Sequence, residues 1–451
     1  MTKVITYGTY DLLHYGHIRL LERAKELGDY LIVGVTADDF DKSRGKINVQ
    51  QSLMERVEAV KATGIADEII IEEYEGQKID DIRRLDIDIF TVGSDWKGKF
   101  DYLNEYCKVV YLDRTEGVSS SEIRSEKRKT RIGLVGESHI LAKFENECSF
   151  VNGIEIVGCY SERPELLKLK CKKFYNSFES LMNDVDALYI ISHPAKHYEQ
   201  CKLALLNHKH IICESPIALN RENAEELFAL AEENDCVLLD GIKTAYSTAF
   251  SRLLLLVKSG RIGKVLSVDA TCTSLENLES IDYSVRWNSS ALWGPTAMLP
   301  IFEILGTDYN DYSKISKIIN HQYNYDTFTK INFSFDDAVA SIKIGNGIKS
   351  EGELIISGEK GYIYVPAPWW KTDYFEVRYE DTTQNRRYFY QLDGEGIRYE
   401  IIVFLKMIDT IKNTAYIDKA ISVKICEMMD SRGIFFNNWM WINDKELQKN
   451  R

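Results

Sequence analysis

Twice in this chain a short β-type run ends on glycine where a parallel sheet would need a crossover: KVITYG at 3–8, followed by TYDLLHYGHIRLLERAKELGDYL, and RIGLVG at 131–136. Parallel strands cannot be joined by a tight turn and need a connection of a dozen or more residues, usually a helix. After the first run Leu20, Leu21, Ala24 and Leu27 recur at helical spacing. Before the second, the charged segment EKRKTR reads as the end of a helix and runs straight into a new buried-strand signal. The chain therefore starts an α/β alternation, stops, and starts another, with a boundary between residues 128 and 130. The order remains βαβα to about residue 245. Strand-rich segments such as KINFSFDDAVASIKIG follow, and a helical pattern returns from about Gly396.

Composition narrows the class. With 45% hydrophobic residues and 7 prolines in 451 residues, the chain can bury the cores of two or three domains. No apolar run approaches the roughly 18 to 20 residues of a membrane span, and MTKVITYG enters a strand at once, so neither membrane insertion nor a leader peptide is expected. Nine cysteines without a C-x-x-C pair suggest a reduced, cytoplasmic protein with no zinc site. The net charge is −13, and neither side of residue 130 has a basic surplus, which argues against nucleic acid as a partner. Local basic clusters must do any phosphate binding.

Four stretches are candidates for nucleotide and phosphate contact. His14 and His17 flank Gly16 at a helix start, where unpaired N–H groups and the helix dipole favour anions. Arg44 and Lys46 lie in a polar loop, DDFDKSRGKINVQQ, that can fold over a nucleotide. Asp95 and Trp96 follow the strand IDIFTVG, at the edge where open α/β sheets bind ligands. Arg114 precedes a run of serines and then SEIRSEKRK, which reads as an N-cap and helix.

Together GTYDLLHYGH (8–17), SRGK (43–46), GSDWKGKFD (93–101) and RTEGVSSS (114–121) resemble the glycerol-3-phosphate cytidylyltransferases and the wider HxGH nucleotidyltransferase superfamily. The resemblance covers residues 1–128 and implies a Rossmann-like fold. It implies catalytic roles for His14, His17, Lys46 and Arg114. It places Gly8, Thr9, Tyr10, Asp11, Gly16, Asp95, Thr115, Glu116, Gly117, Val118, Ser119, Ser120 and Ser121 on the nucleotide, and Arg44 and Lys78 on the acceptor phosphate. CTP, Mg²⁺ accompanying it and a polyol phosphate are the implied partners, with no metal ligand from the protein. The chemistry is consistent: nucleotidyl transfer needs positioning and charge neutralisation around an α-phosphorus, not a covalent nucleophile. One departure bears on the acceptor. Where several glycerol-3-phosphate enzymes carry Arg-Tyr-Val-Asp, this chain has Gly64-Ile65-Ala66-Asp67.

From Thr130 onward RIGLVGE, DVDALYIISHPAKHYEQCKLALLNHKHIICESPIAL, LVKSGRIGKVLSVDAT and GELIISGEKGYIYV resemble the glucose–fructose oxidoreductase and inositol dehydrogenase family. That implies a second Rossmann domain, 130–245, and an α+β domain, 246–451, with a large, mostly antiparallel sheet and a homo-oligomeric assembly. Three stations depart from the family pattern. The glycine fingerprint becomes Gly136-Glu137-Ser138-His139-Ile140-Leu141, Glu-Lys-Pro becomes Glu214-Ser215-Pro216, and the positions of the aspartate and general-base histidine hold Gly294 and Met298. A serine cannot carry charge or shuttle a proton as lysine does. Against these, Ser161 and Arg163 match a pattern that accepts the 2′-phosphate of NADP, with an ordinary polar turn as the alternative. His193 and His197 are four apart but lack a third metal ligand. YIYVPAPWWKTDYF is expected to pack a sheet face.

The expected protein is thus a cytidylyltransferase that forms a CDP-polyol, CDP-glycerol by resemblance, for a teichoic-acid-like or capsular polymer, with a non-catalytic rear part. The rivals are a bifunctional enzyme whose rear part also reduces a keto-polyol phosphate with NAD(P)H, and a nucleotide-binding regulatory module.

Overall fold

The computed structural model describes residues 1–13, 15–37, 49, 51–74, 76–113, 129–171, 173–279, 281–390, 392–410, 415–429, 434–436 and 439–443. The chain divides into two compact units, Met1–Lys129 and Thr130–Arg451.

The first unit runs β1 (Lys3–Gly8), α1 (Tyr15–Lys25), β2 (Tyr30–Thr36), α2 (Leu53–Ala62), β3 (Glu68–Glu72), α3 (Gln77–Leu85), β4 (Ile89–Gly93) and β5 (Lys108–Leu112). All pairings in its sheet are parallel, in the order β3-β2-β1-β4-β5. Successive residues of a strand face opposite sides. Val4, Leu31 and Val33 therefore pack with Leu21, Ala24 and Val60 on one face, while Ile5, Ile32 and Phe90 pack with Ile82 and Leu103 on the other. The direction in which successive strands are added to the sheet reverses between β1 and β4, which opens a crevice at the carboxyl ends of those two strands.

The second unit begins with another parallel sheet: β6 (Thr130–Gly136), α4 (Ile140–Cys148), β7 (Ile154–Tyr160), β8 (Phe174–Tyr175), α5 (Phe178–Met182), β9 (Ala187–Ile191), α6 (Pro194–Leu206), β10 (His210–Glu214), α7 (Arg221–Glu233) and β11 (Leu238–Gly241). Its order is β11-β10-β9-β6-β7-β8. There follow α8 (Thr248–Lys258), β12 (Val265–Thr273), α9 (Ser289–Leu305), β13 (Asp311–Asn320), β14 (Tyr325–Ser334), β15 (Val339–Gly345), β16 (Leu354–Gly358), β17 (Tyr362–Val365), β18 (Tyr374–Arg378) and β19 (Arg386–Phe389). The chain closes with α10 (Ile397–Thr410), α11 (Lys419–Glu427), β20 (Ile434–Phe436) and β21 (Trp439–Asn443). Among the described residues the strands from β12 onward form one ten-stranded sheet, antiparallel except where β12 pairs β15. The segment YIYVPAPWWKTDYF does pack that sheet: Trp369 is buried and its Nε1 donates to the Thr271 carbonyl at 3.1 Å. Helices α8 and α9 interrupt the strand-rich region, and the strongly apolar α9 lies against β12, β14 and β15.

The second unit buries an unusual set of carboxyl groups where α10 meets the parallel sheet. Glu214 accepts a hydrogen bond from the Tyr189 hydroxyl at 2.5 Å. Neither Asp240 nor Glu400 has a hydrogen-bond partner of good geometry among the described residues. Burial pushes all three upward, Asp240 to about 6. A carboxyl raised on folding binds its proton more tightly in the folded than in the unfolded chain, so its contribution to stability is lost as pH rises through the folded value. Asp240→Asn should therefore raise the melting temperature of the second unit at pH 7 by a few degrees and flatten its decline between about pH 4 and pH 6. Calorimetric scans across that range check this; an unchanged pH slope would contradict it.

Candidate functional site

The crevice of the first unit is built on the loop after β1. Gly8 has a reason beyond its turn: a Cβ there would come within 3.0 Å of the Tyr10 ring, which folds back into the core. Tyr10 and Leu12 have φ of 53° and 47°. That left-handed region costs a non-glycine residue energy and persists only where surrounding contacts hold it. The contacts are visible. Asp11 Oδ1 accepts from the Gln51 backbone N–H at 2.9 Å, and the Leu12 N–H donates to Gln51 Oε1 at 2.8 Å. Arg56, fully buried, donates through its guanidinium to the carbonyls of Thr9 at 2.6 Å, Thr36 at 2.8 Å and Gln51 at 3.1 Å. One cation thus ties the ends of β1 and β2 to the start of α2, and that helix start is fixed by a Ser52–Glu55 capping box.

The loop delivers Gly16 and His17 to the first turn of α1. The buried Tyr10 ring meets the His17 imidazole edge-on at 5.6 Å, so Tyr10 contributes a wall that orients His17 instead of an exposed side chain. Asp95 and Trp96 form a single turn directly after β4, across the crevice, and Asp95 is exposed. Gly8, Thr9, Asp11, Gly16, His17 and Asp95 therefore occupy the βα connections at one rim. His14, Arg44, Lys46 and Arg114 through Ser121 lie outside the described residues.

Lys78 sits in the first turn of α3 but is buried. Its ammonium pairs with the Glu72 carboxylate and lies 4.7 Å from the centre of the Tyr7 ring. Glu72 also accepts from Thr36 Oγ1 at 2.8 Å. Tyr7 donates to Asp81 Oδ2 at 2.9 Å, and burial foremost, then Asp81, pushes its phenol far above the ordinary range, so it stays a neutral donor. Lys78 thus brings a donor to this rim while Glu72 balances its charge. Sequence reading missed Glu72, Gln51 and Arg56. Arg56 was detectable, since it falls on the apolar stripe Leu53, Val57 and Val60, where an unpaired arginine would be costly.

In the second unit the stations differ from those of a dinucleotide site. A Cβ on Gly136 would meet the Ile191 carbonyl at 2.5 Å, so this glycine serves strand packing. The next residue puts a carboxylate at the crevice: Glu137, raised mainly by burial, accepts from the Glu162 N–H at 3.3 Å. Arg163 pairs with Asp282 at 3.2 Å, and Ser161 Oγ accepts from the Arg163 N–H. Ser215 is buried, and so are Gly294 and Met298; a side chain on residue 294 would meet Met429 Cε at 3.3 Å and Met298 Cε at 3.5 Å. His193 caps α6, whereas His197 is fully buried between the Pro216 and Ser192 carbonyls, each at 2.8 Å, and burial pushes it down to about 4. No group of three or more His, Cys, Asp or Glu side chains that could hold a metal occurs among the described residues.

A parallel α/β sheet with a histidine-bearing helix start and an aspartate on adjoining connections of one rim is the framework of a nucleotidyltransferase. Residues 5–126 match the family described as cytidylyltransferase-like. They are 52% identical over 126 residues to a glycerol-3-phosphate cytidylyltransferase of Bacillus spizizenii, a match spanning 28% of this chain and 97% of that protein. A Staphylococcus aureus glycerol-3-phosphate cytidylyltransferase is 48% identical over 126 residues, 28% of this chain and 95% of its own length. The chain belongs to the cytidylyltransferase-like family through this first unit. Residues 130–241 match the family described as oxidoreductase, NAD-binding Rossmann fold. In fold, the chain is similar to a 3-ketoreductase from Actinomadura kijaniata solved with TDP-benzene and NADP in an open conformation. The TM-score is 0.58 at 16% identity, covering 67% of this chain and 96% of that one.

Replacing Arg56 with alanine should strand the Thr9 and Thr36 carbonyls and leave a cavity, at a cost of about 3 kcal/mol or more. Denaturant unfolding of the full chain should show an earlier first transition, and KM for the nucleotide should rise. An unchanged KM would reduce Arg56 to a purely structural role.

Proposed function

We propose that the first unit transfers the cytidylyl group of CTP to a polyol phosphate, most simply glycerol phosphate, releasing pyrophosphate and forming a CDP-polyol for a cell-surface polymer such as a teichoic-acid-like or capsular polysaccharide. The observation that carries this reading is the strained Thr9–Leu12 loop, locked by Arg56 and Gln51, which sets Gly16 and His17 at the α1 N-terminus facing the rim that bears Asp95. The acceptor's phosphate oxygen attacks the α-phosphorus of CTP and pyrophosphate leaves. His14 and His17 donate hydrogen bonds to phosphate oxygens whose charge shifts in the transition state. Lys46, Arg114 and the amides and hydroxyls of residues 115–121 hold the triphosphate and the departing pyrophosphate. Arg44 and Lys78 face the acceptor, with Lys78 acting as a donor because Glu72 offsets its charge. Mg²⁺ enters on the triphosphate, since the first unit presents no cluster of ligands of its own among the described residues. Gly64 lies just before the amino end of β3, at the sheet edge opposite this rim.

The second unit is read as non-catalytic. The residues present do not fit a bound dinucleotide well: Glu137 is turned onto the Glu162 N–H where phosphates would approach, and Arg163 is engaged by Asp282. They do not fit hydride transfer either, because residues 215, 294 and 298 offer a buried hydroxyl, no side chain and a core methionine. A homo-oligomer built on the ten-stranded sheet is part of this reading. So is a cytoplasmic location, which the nine unpaired cysteines favour.

The direct experiment is pyrophosphate release from CTP or ATP with glycerol 3-phosphate, ribitol 5-phosphate and erythritol 4-phosphate. CTP should be preferred, and His17→Ala should lower kcat by about 10²- to 10³-fold with little change in nucleotide affinity. Preference for ATP, or a His17 variant within a few-fold of the parent, would refute it. The full chain should also oxidise no NADPH with dihydroxyacetone phosphate or a ketopentose phosphate. Turnover that survives His17→Ala but not a change in the second unit would establish the bifunctional alternative.

A further inference from the structure

Three lysines of the second unit converge on one carboxylate. Lys143 comes from α4, Lys243 from the single turn after β11 and Lys371 from the turn between β17 and β18, while the carboxylate belongs to Glu395, in the turn before α10. Lys143 Nζ lies 3.1 Å from Glu395 Oε1 and 3.2 Å from Oε2, Lys243 Nζ 2.8 Å from Oε2, and Lys371 Nζ 3.7 Å from Oε1. Among the described residues none of these lysines has a second carboxylate within ion-pair reach. Three ammonium groups thus share one negative charge.

The surroundings do not make up the difference. Glu147, which faces Gly394, is engaged by Arg398 at 2.7 Å. Glu214 and Glu400 also feel Lys243, but burial pushes both carboxyls upward, toward their neutral form. His139 registers the positive field: burial first, then Lys143, Arg286 and Lys243 push it down, with Glu276 opposing. Like charges gathered in this way repel one another and favour any anion that can enter.

Glu395 reaches the lysines at a conformational cost. Gly394, Glu395 and Gly396 have φ of 58°, 54° and 94°. The two glycines adopt that region freely, whereas a glutamate is strained there and stays only while its contacts hold it. Close packing requires both glycines, since a Cβ on residue 394 would overlap the Glu147 carboxylate and one on residue 396 would meet the Lys243 carbonyl at 2.6 Å. Burial works against the Glu395 charge, but hydrogen bonds from Lys243 and then Lys143 outweigh it and bring the carboxyl down to about 2. A strained turn is therefore held in place by its ion pairs, and an anion that satisfies the lysines better releases it.

We infer that Lys143, Lys243 and Lys371 form a binding site for a phosphomonoester dianion, and that Glu395 is its tethered stand-in, displaced when the ligand enters. Against three ammoniums a carboxylate leaves two charges unmatched, whereas a phosphate dianion leaves one and offers three acceptor oxygens. The site is separate from nucleotidyl transfer in the first unit and uses none of residues 137, 215, 294 and 298, so it stands whether or not the second unit is catalytic. It lets that unit respond to a small phosphorylated molecule by freeing the turn that leads into α10.

The test uses the full chain, titrated with methyl phosphate and with dimethyl phosphate as the singly charged counterpart. Binding is followed by phosphorus NMR, and the turn by hydrogen–deuterium exchange at residues 394–396. Methyl phosphate should speed exchange at the turn and bind about tenfold more tightly than dimethyl phosphate, and Glu395→Gln should tighten methyl phosphate by about tenfold by removing the internal competitor. Lys371 is exposed, so Lys371→Gln keeps the fold even if Glu395→Gln does not, and it should weaken methyl phosphate several-fold. Unchanged affinity in either variant, exchange at 394–396 indifferent to methyl phosphate, or equal binding of the two esters would overturn the assignment. So would NADP⁺ competing with methyl phosphate at the turn, which would give the lysines to a dinucleotide. Loss of pyrophosphate release from CTP with the response at the turn intact would touch only the first unit.

Discussion

The buried guanidinium of Arg56 is the contact on which the first unit's site depends. A cation taken out of water is costly unless its donors are satisfied, and Arg56 meets that demand with the carbonyls of Thr9, Thr36 and Gln51. Those carbonyls belong to the exits of β1 and β2 and to the approach to α2, so satisfying the cation fixes three chain segments at once. Residues 9–12 then accept left-handed backbone angles at Tyr10 and Leu12, and α1 begins with Gly16 and His17 in its first turn. Strain in the loop and rigidity in its support are two sides of one arrangement.

A second arrangement nearby balances charge. Glu72, Lys78, Thr36, Tyr7 and Asp81 form a buried polar layer under the rim. A buried network of this kind is stabilising only when its members find partners, and here an ammonium offsets a carboxylate beside neutral hydroxyls. The result is a network in which the Lys78 ammonium and the Thr36 hydroxyl donate to Glu72 and the Tyr7 hydroxyl to Asp81.

The second unit repeats the parallel-sheet crevice of the first. Its crevice residues are engaged with one another: Glu137 with the Glu162 backbone, Arg163 with Asp282, Met298 with the core. The room that remains is a cavity walled in part by Tyr283, Trp287, Tyr323 and Tyr325.

Much of this was legible in the sequence. Period-two and helical patterns in KVITYG and LLERAKEL depend on local backbone geometry, so both parallel sheets, the boundary near residue 129 and the strand-rich region with its late helix could be read without coordinates. The substitutions at 137, 215, 294 and 298 were equally plain, because a missing functional group is a property of the residue itself. What the sequence could not give were relations between distant segments: that Arg56 holds the loop 47 residues before it, that Tyr10 turns inward onto His17, that Lys78 is balanced by Glu72, or that residues from 193 to 429 enclose one cavity. The reason is physical. Residue type and spacing fix local conformation and which charges exist, but burial and partnership, which set whether a charge is available to a ligand, are decided only when strands and helices far apart in the chain are packed together.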